Sequence, residues 1–559
     1  MEYLMPFNER GRMNYRGSLI FIASLIVLLS SEQRLFPDNL PKVDIAFTYG
    51  PAGPTHDVKF IAGETVFGIL RISGLNSNKP FSCELETQIE VRDTSGNTLL
   101  STKPQHNVCF QLLGDGVVVI PFEIEPKSDT QLIGDFAIHA IATDLRTKMQ
   151  GQTSCIISWH KQTGLTATNY RFVQRADRTI PAGPVLAPGG EYAMTCDIIG
   201  LEPKNGSIGF TGRLSGRVNQ SDNDTCVLHY SLTDSVSRYS TAPNSAILTA
   251  PIYTNESGQL TLHSVIEDAN SEQTFESDIP ITSMAPNWSE PNPPTRGRLQ
   301  ADIVFTQGEL GRQREGKFHS GETVYVDIAI AGLQEHKARF GGCFAMTMKF
   351  LNSEGKVIIS KSNSGHENIY TLSGESVIHR QLSLELNDKV SQSEKYWLLL
   401  IIKDIETNNE ISVRKPMTWT TCTQMTAMGH RMTWDAEGKY PAGPVLSVGQ
   451  TYCLNCDLTK YTVKDYAIDI SHSVKAFTED GQPIAGTELV LDHKRALSVA
   501  EKLNDQLPLT MQVSLNRPGK FLLRSTITDN LSGQTYTSDM PVEVVSPFQF
   551  VKEKATIEN

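Results

Sequence analysis

The chain is predicted to be all-β, with four tandem immunoglobulin-like antiparallel β-sandwiches arranged as two copies of a two-domain repeat. Three observations predict this. The block Tyr440-Pro-Ala-Gly-Pro-Val-Leu446 repeats Ile180-Pro-Ala-Gly-Pro-Val-Leu186 with only its first residue changed, 260 residues apart. Four glycines each precede an alternating apolar run in one shared phase, and four further alternating runs each lead to an aspartate. Self-similarity at a fixed spacing decides an architecture before any single element does. Alternation with a period of two marks a strand with one face buried.

Taken in order, residues 1–35 carry an address. Arg10, Arg12 and Arg16 precede an apolar run from Leu19 to Leu29, and polar Ser30-Ser31-Glu32-Gln33 follow. A basic start, a short apolar run and a polar exit describe a secretory signal, and the run falls short of the roughly 20 residues of a spanning helix. Leu28 and Leu29 stand where cleavage prefers small residues. Two readings therefore stay open, a cleaved signal or an uncleaved N-terminal hydrophobic helix that touches a membrane through residues 18–30. A start at Met13 would give the more ordinary signal length. Both readings export the body to a periplasmic, cell-surface or extracellular place.

Counting from Gly63, Gly189, Gly321 and Gly449, the alternating runs are Val66, Gly68, Leu70, Ile72; Tyr192, Met194, Cys196, Ile198; Val324, Val326, Ile328, Ile330; and Tyr452, Leu454, Cys456, Leu458. A glycine in front of each suits a turn with positive φ. The closing strands begin at Phe136, Leu260, Tyr396 and Phe521, and each reaches an aspartate eight residues on: Asp144, Asp268, Asp404 and Asp529. An aspartate at a strand end accepts hydrogen bonds from turn amides, so these read as Asx-turns in hairpins rather than as metal ligands. The resulting sandwiches span 43–160, 161–285, 300–422 and 423–546, with a proline-rich semi-rigid linker at 286–299 and a polar, flexible tail at 547–559.

The Gly-Glu-Thr-Val strand start and the hairpin that runs from Phe136 or Phe521 to its aspartate resemble those of bacterial cell-surface and periplasmic proteins built from immunoglobulin-like or fibronectin type III-like domains. The resemblance is architectural and covers nearly all of 43–546. It implies adhesion, spacing or envelope assembly, and it carries no catalytic residues. The cysteine–tryptophan–cysteine core of antibody domains is absent.

A net charge of −12, with no basic run after the N-terminus, argues against nucleic acid, whose affinity comes largely from a basic stripe. Nine cysteines are an odd number, and the copies do not share most of them, so no disulfide framework is expected. Gly311-Arg-Gln-Arg-Glu-Gly316-Lys317 imitates a phosphate loop, but Phe318 stands where Ser or Thr is required and a strand follows instead of a helix. Cys453 and Cys456 have redox spacing, yet on a strand they point to opposite faces, and Cys456 reads as a small core residue. His139 and His263 occupy equivalent outward positions on separate domains, too far apart in the chain plan for one metal site. No catalytic residue, cofactor or metal is expected.

The leading expectation is a non-enzymatic envelope or extracellular protein, a semi-rigid spacer, adhesin or scaffold whose partner is an envelope protein or polysaccharide. The alternative is a carbohydrate-binding array using Trp159, Trp288, Trp419 and Trp434 as stacking platforms; the third is an enzyme with a site between domains. The polar loop holding Asn219, Asp222 and Asp224 is a further candidate contact, and sequons occur at Asn205, Asn219, Asn223, Asn255, Asn287 and Asn530.

Overall fold

A computed structural model of the chain describes residues 40–551 except 76–81, 111, 115–116, 127–131, 206–207, 219–225, 235–244, 255–256, 285–297, 337–338, 370–376, 386–394, 444 and 499–505. The expected N-terminal signal or helix and most of the 286–299 linker lie outside the described residues. What is described is strand, turn and loop throughout, and no helix there is long and apolar enough to cross a membrane.

Among the described residues, eight sheets form four Ig-like sandwiches in two matching pairs. The first sandwich sets a four-stranded sheet, ordered Thr55–His56, Lys42–Thr48, Val66–Ser73, Val118–Ile124, against a six-stranded sheet centred on Gly134–Asp144. The third repeats that plan around Thr323–Ala331 and Lys395–Asp404. The second and fourth each pair a three-stranded sheet with a five-stranded one, the three-stranded sheets being centred on Tyr192–Ile199 and Thr451–Thr459. Nearly all pairing is antiparallel, as short turns allow. Each sandwich also gains one short parallel strand, and in the second and fourth this is the end of the repeated block. Val185–Leu186 pairs with Thr282 and Ser283, and Val445–Ser447 pairs with Glu543 to Val545. The earlier part of each block bridges to the opposite sheet, Pro181 to Val173 and Pro441 to Thr433. The block recurs because it stitches the two sheets of its sandwich together.

Gly63, Gly189, Gly321 and Gly449 all take positive φ, between 78° and 89°, before their strands. The expected inward residues are core: Val66, Leu70 and Ile72 are at most 1% exposed, as are Met194, Cys196, Ile198, Leu454, Cys456 and Leu458. The one-faced reading of these strands needs correction. In the first sandwich the opposite phase is buried too, Ile69 at 1% and its cross-strand partner Ala46 at 0%. That outer face is covered by another sandwich. Ala46, Ile69, Leu112 and Leu113 form one apolar cluster with Leu446, Tyr452 and Leu454 of the fourth and with Phe548 of the segment that follows it.

The four sandwiches meet at several seams. Thr65 N donates to Asn169 Oδ1 at 3.0 Å between the first and second. Gln506 Nε2 donates to Gly321 O at 2.7 Å between the third and fourth. Arg380 pairs with Glu191 at 3.1 Å between the third and second. Leu113 N donates to Asn516 Oδ1 at 2.9 Å, and Asn516 Nδ2 to Gly114 O at 2.6 Å, between the first and fourth.

The tail expectation is corrected as well. Residues 547–551 lie against the first sandwich: Gln549 N donates to Thr55 Oγ1 at 3.1 Å, Val551 N donates to Ile45 O at 2.8 Å, and the Arg71 guanidinium lies 4.1 Å from the Phe550 ring centre. Phe548 and Phe550 are apolar anchors in a segment whose polarity lies mostly beyond it, in residues 552–559, which are outside the described residues.

Candidate functional site

Two of the four candidate tryptophans, Trp159 and Trp419, are not stacking platforms. Trp159 and Trp419 are 1% and 2% exposed, in the cores of the first and third sandwiches. Each sits on a strand joined to the short parallel strand of its sandwich, so that Trp159 pairs with Phe60 and Trp419 with Phe318. A sugar has no access to either ring. Trp434 is half-buried, 4.8 Å from the Tyr452 ring, and a Cβ at Gly183 would lie 2.9 Å from it. It fills the gap where the two repeated blocks face each other, beside the Tyr440 hydroxyl that donates to Asp177 at 3.4 Å. Trp288, Asn219, Asp222 and Asp224 lie outside the described residues.

The four hairpin aspartates are turn clamps. Asp404 Oδ1 accepts from Glu406 N at 3.0 Å and Thr407 N at 3.5 Å, while Oδ2 accepts from Thr407 Oγ1 at 2.9 Å and from Gln334 N at 3.0 Å. Asp268 and Asp529 do the same, reaching Glu202 N and Thr462 N with the second oxygen. Asp144 accepts from Arg146 N and Thr147 N. Burial alone would raise Asp529, but the bonds from Ser532, Thr462 and Leu531 outweigh it and hold the carboxyl below its ordinary range. The second oxygen, which ties a distant loop to the hairpin, had no local signal in the sequence.

Cys453 and Cys456 are buried, and burial pushes the Cys456 thiol up to about 12, the reverse of what a redox thiol needs. His139 is half-buried, and His263 Nδ1 lies 2.7 Å from Asp278 Oδ1. The phosphate-loop imitation divides between a turn at Gly311 and the short strands Gln313–Arg314 and Lys317–His319.

One polar site emerges that sequence reading missed. On the outer face of the third sandwich's four-stranded sheet lies a cavity of about 60 Å³, lined by Glu309, Tyr325, Val326, Asp327, Gln381, Leu382 and Ser383. Asp327 lies between Val304 and Gln381 on the central strand, only 6% exposed, and its Oδ1 is buried without a hydrogen-bond partner. Burial first, and then the charge of Glu309, raises Asp327 well above the usual carboxylate range. Gln381 Oε1 accepts from Leu310 N at 2.9 Å, which holds the loop carrying Glu309. His379, two residues before Gln381, is 7% exposed, and burial lowers it to about 4. A signal existed: Asp327 interrupts an apolar run, Val324 to Ala331, at the position where the first half has Ile69.

No family model and no curated protein matches the chain. Among solved structures it is similar to dimeric latent PorU from Porphyromonas gingivalis, at 13% identity and TM-score 0.16, covering 69% of this chain and 35% of that one. It is also similar to Escherichia coli alpha-2-macroglobulin activated by porcine elastase, at 11% identity and TM-score 0.16, covering 91% of this chain and 45% of that one. The Salmonella alpha-2-macroglobulin reacted with methylamine gives 10% identity and TM-score 0.16, over 91% and 40%. This chain spans less than half the length of each.

Proposed function

We propose that this chain is a non-enzymatic, exported envelope or extracellular protein that acts as a preassembled scaffold, with four sandwiches locked into one body that presents its outer loops and edges to another macromolecule. The observation that carries the reading is closure: the segment after the last strand returns to the first strand through Val551 and Ile45, over the apolar cluster shared by the first and fourth sandwiches. Apolar surface shared in this way favours association in proportion to the area removed from water. A body closed at this seam does not flex like independent domains on linkers, so the spacer reading gives way to a rigid support. The repeated aspartates support a structural role because their oxygens are engaged by turn amides and hydroxyls.

The test places a photoreactive residue at Tyr466, which is 68% exposed, in the full chain made by its producing cell. Irradiating intact cells is expected to yield one discrete protein adduct in the envelope fraction. Saturable co-sedimentation with isolated envelope polysaccharide, without any such adduct, would move the function to carbohydrate binding through surfaces other than Trp159 and Trp419. Steady substrate turnover by the pure chain, abolished by a single polar substitution, would overturn the non-enzymatic reading.

A further inference from the structure

The two halves are not equivalent where their outer sheet faces are covered. Ile69 lies between Ala46 and Pro121 on its sheet, and Asp327 lies between Val304 and Gln381 at the same place on the matching sheet. Likewise Val119 of the first sandwich meets Gly449 of the fourth, while His379 of the third meets Gly189 of the second. The first seam is filled: Ile69 is 1% exposed, and Val119 packs so closely that a Cβ on Gly449 would lie 2.2 Å from its Cγ1. At the second, the duplication has put a carboxyl and an imidazole in place of two aliphatic side chains, and beside Asp327 there is a hollow.

A buried carboxyl oxygen without a partner is costly, and such groups persist where something satisfies them. Among the described residues no cationic side chain forms an ion pair with Asp327 or Glu309, and the nearby Arg380 is engaged by Glu191. Besides the Gln381 amide, whose Oε1 is taken by Leu310 N, the polar lining consists of two carboxyls and the hydroxyls of Tyr325 and Ser383, all able to accept. A cavity of about 60 Å³ has room for roughly two waters. Among the described residues no cluster of three or more His, Cys, Asp or Glu side chains suits a metal ion. A group carrying several N–H donors on one compact positive centre fits these acceptors, as an ammonium does.

We propose that the Asp327 cavity is a binding site for a primary ammonium group, carried either by a small alkylamine or by the lysine side chain of a partner protein. The cation supplies donors to the orphaned Asp327 oxygen and to Glu309, and its charge draws the Asp327 carboxyl into the ionised form. Because burial favours the neutral carboxyl, binding is coupled to loss of its proton and tightens as pH rises.

The test titrates the full chain calorimetrically with n-propylammonium chloride, with tetramethylammonium chloride as a cation lacking N–H donors and potassium chloride as the ionic-strength control. Saturable binding of propylammonium alone is expected, with a heat that depends on the buffer's ionisation enthalpy because a proton leaves. Asp327→Asn should weaken it at least tenfold, and thermal melting checks that this variant is folded. Asp327→Ile, which restores the residue type of the first half, should abolish binding while keeping or raising the melting temperature. An acetyl-Gly-Lys-Gly-amide peptide binding tighter than propylammonium, with its acetyl-lysine analogue inert, assigns the source to a partner's lysine; the reverse order assigns it to free amines. Equal responses to propylammonium and tetramethylammonium, or propylammonium binding that Asp327→Asn leaves intact, would overturn the proposal. The scaffold reading fails separately, through the cross-linking result.

Discussion

His472 is sealed in the core of the fourth sandwich, 0% exposed, with Nε2 2.8 Å from Ser525 Oγ, and burial, reinforced by His493, lowers it to about 4. In the unfolded chain the same ring titrates near 6.5. Its folded pKa is depressed, so the unfolded state binds more protons between these values. The stability His472 contributes is fully present above about pH 6.5 and is lost as pH falls towards 4. Denaturant melts at pH 7 and pH 4.5 should show His472→Gln flattening that loss by about 2 kcal/mol; an unchanged slope would place the titrating group elsewhere. At this scale the sequence was legible wherever a residue's role is local. Asp404 and its three counterparts read as turn acceptors because the amides they bind lie two and three residues away. Gln334 N, which Asp404 also binds, was hidden because a loop 70 residues distant leaves no mark beside it. The tryptophans misled for a related reason: a ring that stacks on sugar and a ring that fills a core have the same local sequence.

The strand after each turn glycine is the element that organises its sandwich, and the glycines allow the seams to be measured. Gly63 and Gly449 both hold positive φ, 89° and 78°, but a Cβ on Gly63 meets nothing within 4 Å while one on Gly449 collides with Val119. Gly63→Ala should therefore cost only the left-handed penalty, about 1 kcal/mol. Gly449→Ala should cost about 2 kcal/mol more, because the seam between the first and fourth sandwiches is overpacked. Chemical denaturation compares the two directly, and equal losses would mean that the seam yields freely. The alternating phase of these strands was plain in the sequence. The burial of their other face was written there too, in the nearly unbroken apolar stretch Val66 to Ile72, which only Gly68 and Arg71 interrupt. A continuous run marks a strand covered on both sides.

Across the whole molecule, duplication gave two sandwich pairs, and the seams join them into a single body. Chain order showed the copies but not their docking, since seams such as Leu113 with Asn516 link residues about 400 positions apart. Removing residues 547–559 should leave each sandwich folded yet loosen the first from the fourth. Small-angle scattering would then report a larger maximum dimension, and amide exchange would speed up along Lys42–Thr48; unchanged scattering and exchange would show that the apolar cluster alone holds the seam. The clasp between Val551 and Ile45 also has a mechanical meaning. The two ends of the described body leave from one edge of the first sandwich, so tension applied between residues 41 and 551 does not run through four modules in series. It shears one short contact. A molecule stretched by these ends would resist stiffly over a small extension and then lengthen abruptly once the clasp parts, with the individual sandwiches loaded only afterwards.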